Sequence, residues 1–161
     1  MSLREELRVF LDGPVGRRVV LVGIGSPIRH DDVVGLKVLE LLIGKLPQSV
    51  LLLSTETVPE SYTGVIRDFA PTHVLLIDAA NFKGTPGEGR IIPSIMIANV
   101  SISTHSLPLH IFINYIEKSI CPNVALLGIQ GVNIELGEGI TPEIEEGASL
   151  VSKILIDLLN A

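Results

Sequence analysis

Five short, largely apolar runs punctuate the chain, and stretches with helical spacing separate them. The runs are Arg18–Ile24, Val50–Leu53, His73–Ala79, Arg90–Ile97 and Val124–Ile129. Apolar runs alternating with helical patterns are the signature of an α/β domain built on a mostly parallel sheet. Pro93 cannot donate to a strand ladder, so the fourth run belongs at a sheet edge. The helical stretches are Ser2–Leu11, Asp32–Leu46 (Val34, Val38, Leu41 and Leu42 recur at helical spacing), a stretch ending near Phe69, Leu107–Ser119, and one ending near Leu159. Thr57-Val-Pro-Glu60 has the form of a capping box with Pro59 in the first turn. Thr141-Pro142 reads as an N-cap followed by proline at the first helical position of the last helix. Asn81–Glu88, with Gly84, Pro86 and Gly87, reads as loop, and Val132–Leu136 as a short extra strand.

A length of 161 residues gives one domain, 1–161, with enough chain for a real core. Aromatics are only 4% of the residues, so Ile, Leu and Val must build that core. The net charge of −6, with no basic cluster, argues against nucleic acid and anionic membrane as partners. No apolar run approaches the roughly 18 residues of a membrane helix. The opening MSLREELRVF mixes charge with apolar residues and is not a signal peptide. The single cysteine, Cys121, excludes an internal disulfide and fits a reducing compartment, so the expected location is the cytoplasm.

In sheets of this kind ligands bind beyond the carboxyl ends of the strands, so a candidate group should directly follow a strand. The stretch GIGSPIRHDD, Gly23 to Asp32, follows the first strand. It lacks the third glycine of a dinucleotide fingerprint, and its two terminal carboxylates would repel phosphate. Asp31 and Asp32 pass the strand-end test. Asp78, in LLIDAAN at the end of strand three, and His105, in ISTHSLP after strand four, also pass. Two carboxylates and an imidazole suit a divalent metal such as nickel, zinc or cobalt, and three protein ligands leave positions open for water or an incoming ligand. Structural alternatives stand beside this reading. One of the acid pair, Asp31 before Asp32, could cap the helix that follows; Asp78 could accept loop amides; His105 could precede its helix as a cap. His30, His73 and His110 read as ordinary, and Cys121 as a packing residue. No nucleophile elbow surrounds Ser103 or Thr104.

The run LVGIGSPIRHDDVVG, then TETVPES, LLIDAANFKGTPGEGRII, STHSLPL, LLGIQ and ELGEGITPEIEE resembles the hydrogenase maturation proteases, most closely the branch serving formate-hydrogenlyase-type nickel–iron hydrogenases. The likeness covers the chain from Arg18 onward and leaves residues 1–17 as an N-terminal helical addition. It implies a three-layer fold, a five-stranded twisted sheet with helices on both faces. It implies an aspartyl-type endopeptidase that removes a C-terminal extension from a hydrogenase large-subunit precursor after nickel insertion. The family's metal-contacting positions fall on Asp32, Asp78 and His105, with Asp32 and Asp78 acting in catalysis through the metal. The nickel is carried by the precursor, and another divalent metal could replace it in the isolated protein. Ser26, Val33 and Gly131 depart from the residues usual in the family without removing a proposed ligand. The expected partner is the precursor alone, with no nucleic acid and no membrane insertion, and the free protein is expected to be a monomer. Two rivals remain: a self-contained metallohydrolase of small amides, and a non-catalytic nickel or precursor chaperone.

Overall fold

A computed structural model of the chain describes residues 1–13, 15–99, 101–102, 108–132 and 137–161. Five main strands form one sheet in the order β2 (Val50–Glu56), β1 (Val19–Ile24), β3 (His73–Asn81), β6 (Asn123–Gln130) and β4 (Gly89–Pro93). All neighbours along this path are parallel except β4, which runs antiparallel to β6 at the sheet's end. The two-residue β5 (Ser101–Ile102) pairs antiparallel with Ala80 and Asn81 at the end of β3. The fold is therefore α/β with a mostly parallel, five-stranded sheet, as the alternation of runs predicts.

The central strands are apolar on both sides because helices cover both faces. Successive residues of β1 feed opposite cores. Val19 and Leu21 pack with Leu7 and Leu11 of α1 (Leu3–Leu11), Val38 and Leu42 of α2 (Val34–Leu42), and Val151 and Leu155 of α5 (Pro142–Leu159). Val20, Val22 and Ile24 pack with Ile66 of α3 (Thr63–Phe69) and with Phe112, Ile113 and Ile116 of α4 (Leu109–Ser119). The N-terminal helix is thus seated in the main core. Ser2 caps α1 by accepting the Glu5 N–H at 3.2 Å, and Glu6 Oε2 accepts the Ile91 N–H of β4 at 3.0 Å.

Several boundaries differ from the sequence reading. The stretch beginning at Asp32 divides into a 3-10 turn, His30–Val33, and a shorter helix α2 that stops at Leu42, with Gly44 in the left-handed region. No capping box forms at Thr57. Val58 occupies the N-cap, Pro59 opens a 3-10 turn to Tyr62, and α3 follows. The fourth strand ends at Pro93, where the missing N–H ends the ladder, and a 3-10 segment, Ser94–Asn99, continues. Of the proposed strand Val132–Leu136, residues 133–136 lie outside the described residues. Among the described residues no helix is long and apolar enough to cross a membrane.

Candidate active site

The strand order places β1 beside β3, while the chain leaves β1 for β2 on one side and returns to β3 on the other. This reversal is the topological switch point of an open α/β sheet, where the strand ends diverge and leave a crevice. Asp31 and Asp32 follow β1, and Asp78 lies three residues before the end of β3, which runs on to Asn81 rather than stopping near Ala79, so all three carboxylates belong to the carboxyl-end side of the sheet.

Two close backbone approaches build the loop. Gly25 donates to the Glu56 carbonyl at 2.9 Å, and Ser26 N–H donates to the Asp32 carbonyl at 3.2 Å. A Cβ on Gly25 would stand 2.1 Å from that Asp32 oxygen, so only glycine lets the loop fold back so tightly. A Cβ on Gly35, in the first turn of α2, would stand 2.3 Å from the carbonyl oxygens of both Ile24 and Ile77. The helix therefore rests directly on the ends of β1 and β3, and the 3-10 turn carrying the acid pair packs against β3.

Asp31, Asp32 and Asp78 are all fully buried. A buried carboxylate is costly unless donors surround it. Asp31 is surrounded: it accepts the Thr141 N–H at 2.7 Å, the Thr141 hydroxyl at 2.8 Å and the Val132 N–H at 3.0 Å. It does serve a helix start, though not that of the helix following it. The position before α2 is Val33, and the carboxylate turns instead to Thr141, the N-cap of α5. Thr141 makes no side-chain cap to its own helix; its hydroxyl donates to Asp31 instead. Asp78 Oδ1 accepts the Ala79 N–H at 2.8 Å. The β-carbons of Asp31 and Ala79 both lie within 4.0 Å of where a Cβ on Gly131 would stand, so the first loop, the end of β3 and the end of β6 meet here.

His105 lies in 103–107, outside the described residues. Among the described residues no three His, Cys, Asp or Glu side chains form a ready metal cluster. The other histidines have structural duties or stand apart. His73 is buried, with one ring nitrogen 3.0 Å from the Asp12 carbonyl and the other 2.8 Å from Thr72 Oγ1. His30 takes a left-handed backbone conformation and sets Nδ1 3.1 Å from the Gly139 carbonyl. His110 is exposed on α4. Cys121 is buried in the core cluster of α3 and α4, and burial pushes its thiol pKa up, which fits a packing residue.

Two positioning roles escaped the sequence reading, which passed over Gln130 and took Thr141 only as an N-cap. Gln130, at the end of β6, accepts the Phe82 and Gly84 N–H groups, both at 3.0 Å, and so ties down the loop after β3. Thr141 is the other. A polar residue at a strand end was the available signal for Gln130; for Thr141 there was only its place before Pro142.

Comparison with known proteins bears on the chemistry. The profile of the HycI hydrogenase maturation protease family matches residues 37–158, a span that begins just after the acid pair. A protein of Methanocaldococcus jannaschii whose name places it among the hydrogenase maturation proteases is 32% identical over 152 residues, 89% of each chain. The hydrogenase 3 maturation protease of Escherichia coli K12 is 31% identical over 112 residues, 69% of this chain and 71% of its own. The crystal structure of a NiFe hydrogenase maturation protease HycI from Thermococcus kodakarensis superposes with a TM-score of 0.87 at 32% identity, covering 97% of this chain and 99% of that one. The chain therefore belongs to the hydrogenase maturation protease family and is a peptidase.

Proposed function

We propose that this peptidase removes a C-terminal extension from a nickel–iron hydrogenase large-subunit precursor once nickel has been inserted. Asp32, Asp78 and His105 contact the nickel, which belongs to the substrate. The observation carrying this reading is the pair of fully buried carboxylates, Asp32 and Asp78, at the switch point of the sheet. Ionised carboxylates are acceptor-only oxygen ligands, so two of them here suit a divalent cation brought by the substrate. Both are enclosed in the free chain, so contact with the metal accompanies a rearrangement at this edge.

The chemistry is positioning. Fixing the metal fixes the peptide bond near it, and orientation of this kind supplies much of a hydrolytic rate enhancement. The attacking group is water, activated by the metal or by a carboxylate. Cleavage becomes conditional on nickel, because a precursor lacking the metal offers the carboxylates nothing to bind. We assign the reaction to the cytoplasm and the free protein to a monomer.

Intact mass spectrometry of a precursor incubated with the protein tests this, using nickel-loaded and nickel-free forms. The expected result is loss of a C-terminal peptide from the loaded form only, abolished by Asp32→Ala and by His105→Ala. Binding without cleavage would support a chaperone instead. Tight metal binding by the isolated protein, with hydrolysis of small amides, would support a self-contained metallohydrolase.

A further inference from the structure

Asp31 is adjacent to the proposed nickel contact Asp32, yet its carboxylate is committed elsewhere. Three donors, the Thr141 amide, the Thr141 hydroxyl and the Val132 amide, converge on its two oxygens at 2.7–3.0 Å in a fully buried site. The partners lie 101 and 110 residues away in sequence, in the connection between β6 and α5. The same connection is stitched to the first loop at other points. Gly137 N–H donates to the Ile28 carbonyl at 2.8 Å, His30 N–H donates to the Gly137 carbonyl at 3.2 Å, and the His30 ring reaches Gly139. Within the loop, Asp32 N–H donates to Arg29 and the Asp32 carbonyl accepts from Ser26.

From this arrangement we propose that Asp31 is a positioning residue: it clasps the loop to the start of α5 and thereby fixes Asp32. The proposal rests on the reading of Asp32 as a nickel contact. A general base needs an oxygen presented to the attacking water, whereas the oxygens of Asp31 are directed at protein donors. Fixing a neighbour is a substantial role, because misplacing a reacting group by about 1 Å can cost on the order of 100-fold in rate. The 3-10 turn is only four residues long, so the orientation of Asp32 follows from whatever anchors residue 31.

The test uses Asp31→Asn, Thr141→Val and Thr141→Ser in the full chain. Asn keeps the volume but sets an NH2 group against the N–H donors. Val deletes only the hydroxyl bond, and Ser restores it. With nickel-loaded precursor, Asp31→Asn should lower kcat about 10- to 100-fold and Thr141→Val several-fold. KM should change less than about twofold in each, and Thr141→Ser should match wild type. Independently of substrate, hydrogen exchange across residues 26–34 should speed up in Asp31→Asn and Thr141→Val while the strands stay protected. Unchanged exchange in this segment would overturn the clasp whatever the cleavage result. So would loss of all cleavage in Asp31→Asn with a normal Thr141→Val enzyme, which would identify a base. If exchange changes as expected but wild type cleaves no nickel-loaded precursor, the clasp stands and the nickel reading falls.

Discussion

The two ends of the central sheet treat charge in opposite ways. At the amino end the helices α1, α3 and α5 finish, presenting carbonyls that lack intrahelical partners. Arginines meet them. Arg17 donates to Leu11 of α1 at 3.0 Å and to Leu158 of α5 at 2.6 Å. Arg18 donates to Phe69 of α3 at 2.9 Å, with its guanidinium 4.0 Å above the Phe69 ring. Cations at helix C-termini also suit the helix dipole, so these charges are explained by structure alone. At the carboxyl end the dipoles reverse, since α2 and α5 begin there, and Asp31 serves α5 as Arg17 serves α1. Asp32 and Asp78 are two further buried carboxylates at this end, Asp32 in the 3-10 turn ahead of α2 and Asp78 near the end of β3, where its Oδ1 accepts the Ala79 N–H. The contrast is between arginines whose bonds go to helix ends and carboxylates gathered at the switch point, two of which we propose as nickel contacts.

The sharpest way to break this contrast is to substitute one charge from each end. Asp78→Ala should reduce cleavage of nickel-loaded precursor more than about 100-fold in protein that remains folded, as read by the rate of precursor mass loss. A variant that cleaves normally would place Asp78 among the structural charges. Arg17→Ala should do the reverse. Losing charge-assisted bonds to two helix ends should cost about 1.5–3 kcal/mol in denaturant unfolding, with cleavage per folded molecule unchanged. The smallest effect is expected from a carboxylate at the same end as Asp78 but on the surface. Glu88 accepts the Thr85 N–H at 3.0 Å and pairs with Arg90 at 2.8 Å, and these contacts hold its pKa below the ordinary carboxylate value, the Thr85 bond foremost. A depressed folded pKa means the stabilisation is present above the unfolded value and is lost as pH falls through the carboxylate range. With the side chain 36% exposed, Glu88→Gln should change stability by less than about 1 kcal/mol and flatten only the acid limb of the stability profile.

The sequence makes the strands readable because β1 is buried throughout and β3 as far as Ala80, leaving largely apolar runs. The strand-end rule then brings forward Asp31, Asp32, Asp78 and His105 alike, and only the family resemblance separates Asp32 from Asp31. Other features depend on geometry that local pattern does not carry. The change from 3-10 turn to α2 lies beside the close approach of Gly35 to two strands, a tertiary contact that no local pattern announces. The pattern at Thr57–Glu60 has capping-box spacing, but Val58 takes the N-cap and Pro59 opens a 3-10 turn. Asp31 was legible as a helix cap, yet which helix it serves depends on a contact 110 residues distant. For His105 only its sequence position speaks, since it falls outside the described residues.

The seat of α2 on the strand ends also governs how this protein can diversify. At position 35 even one methyl group would intrude on the carbonyls of Ile24 and Ile77. Drift or selection there could not be absorbed by a neighbouring side chain, because the obstacle is main chain on both sides. Lineages that come to process a different precursor must therefore leave the α2 platform as it is. They are free to vary at Ile28 or Val132, whose side chains already face solvent at the rim of the same edge.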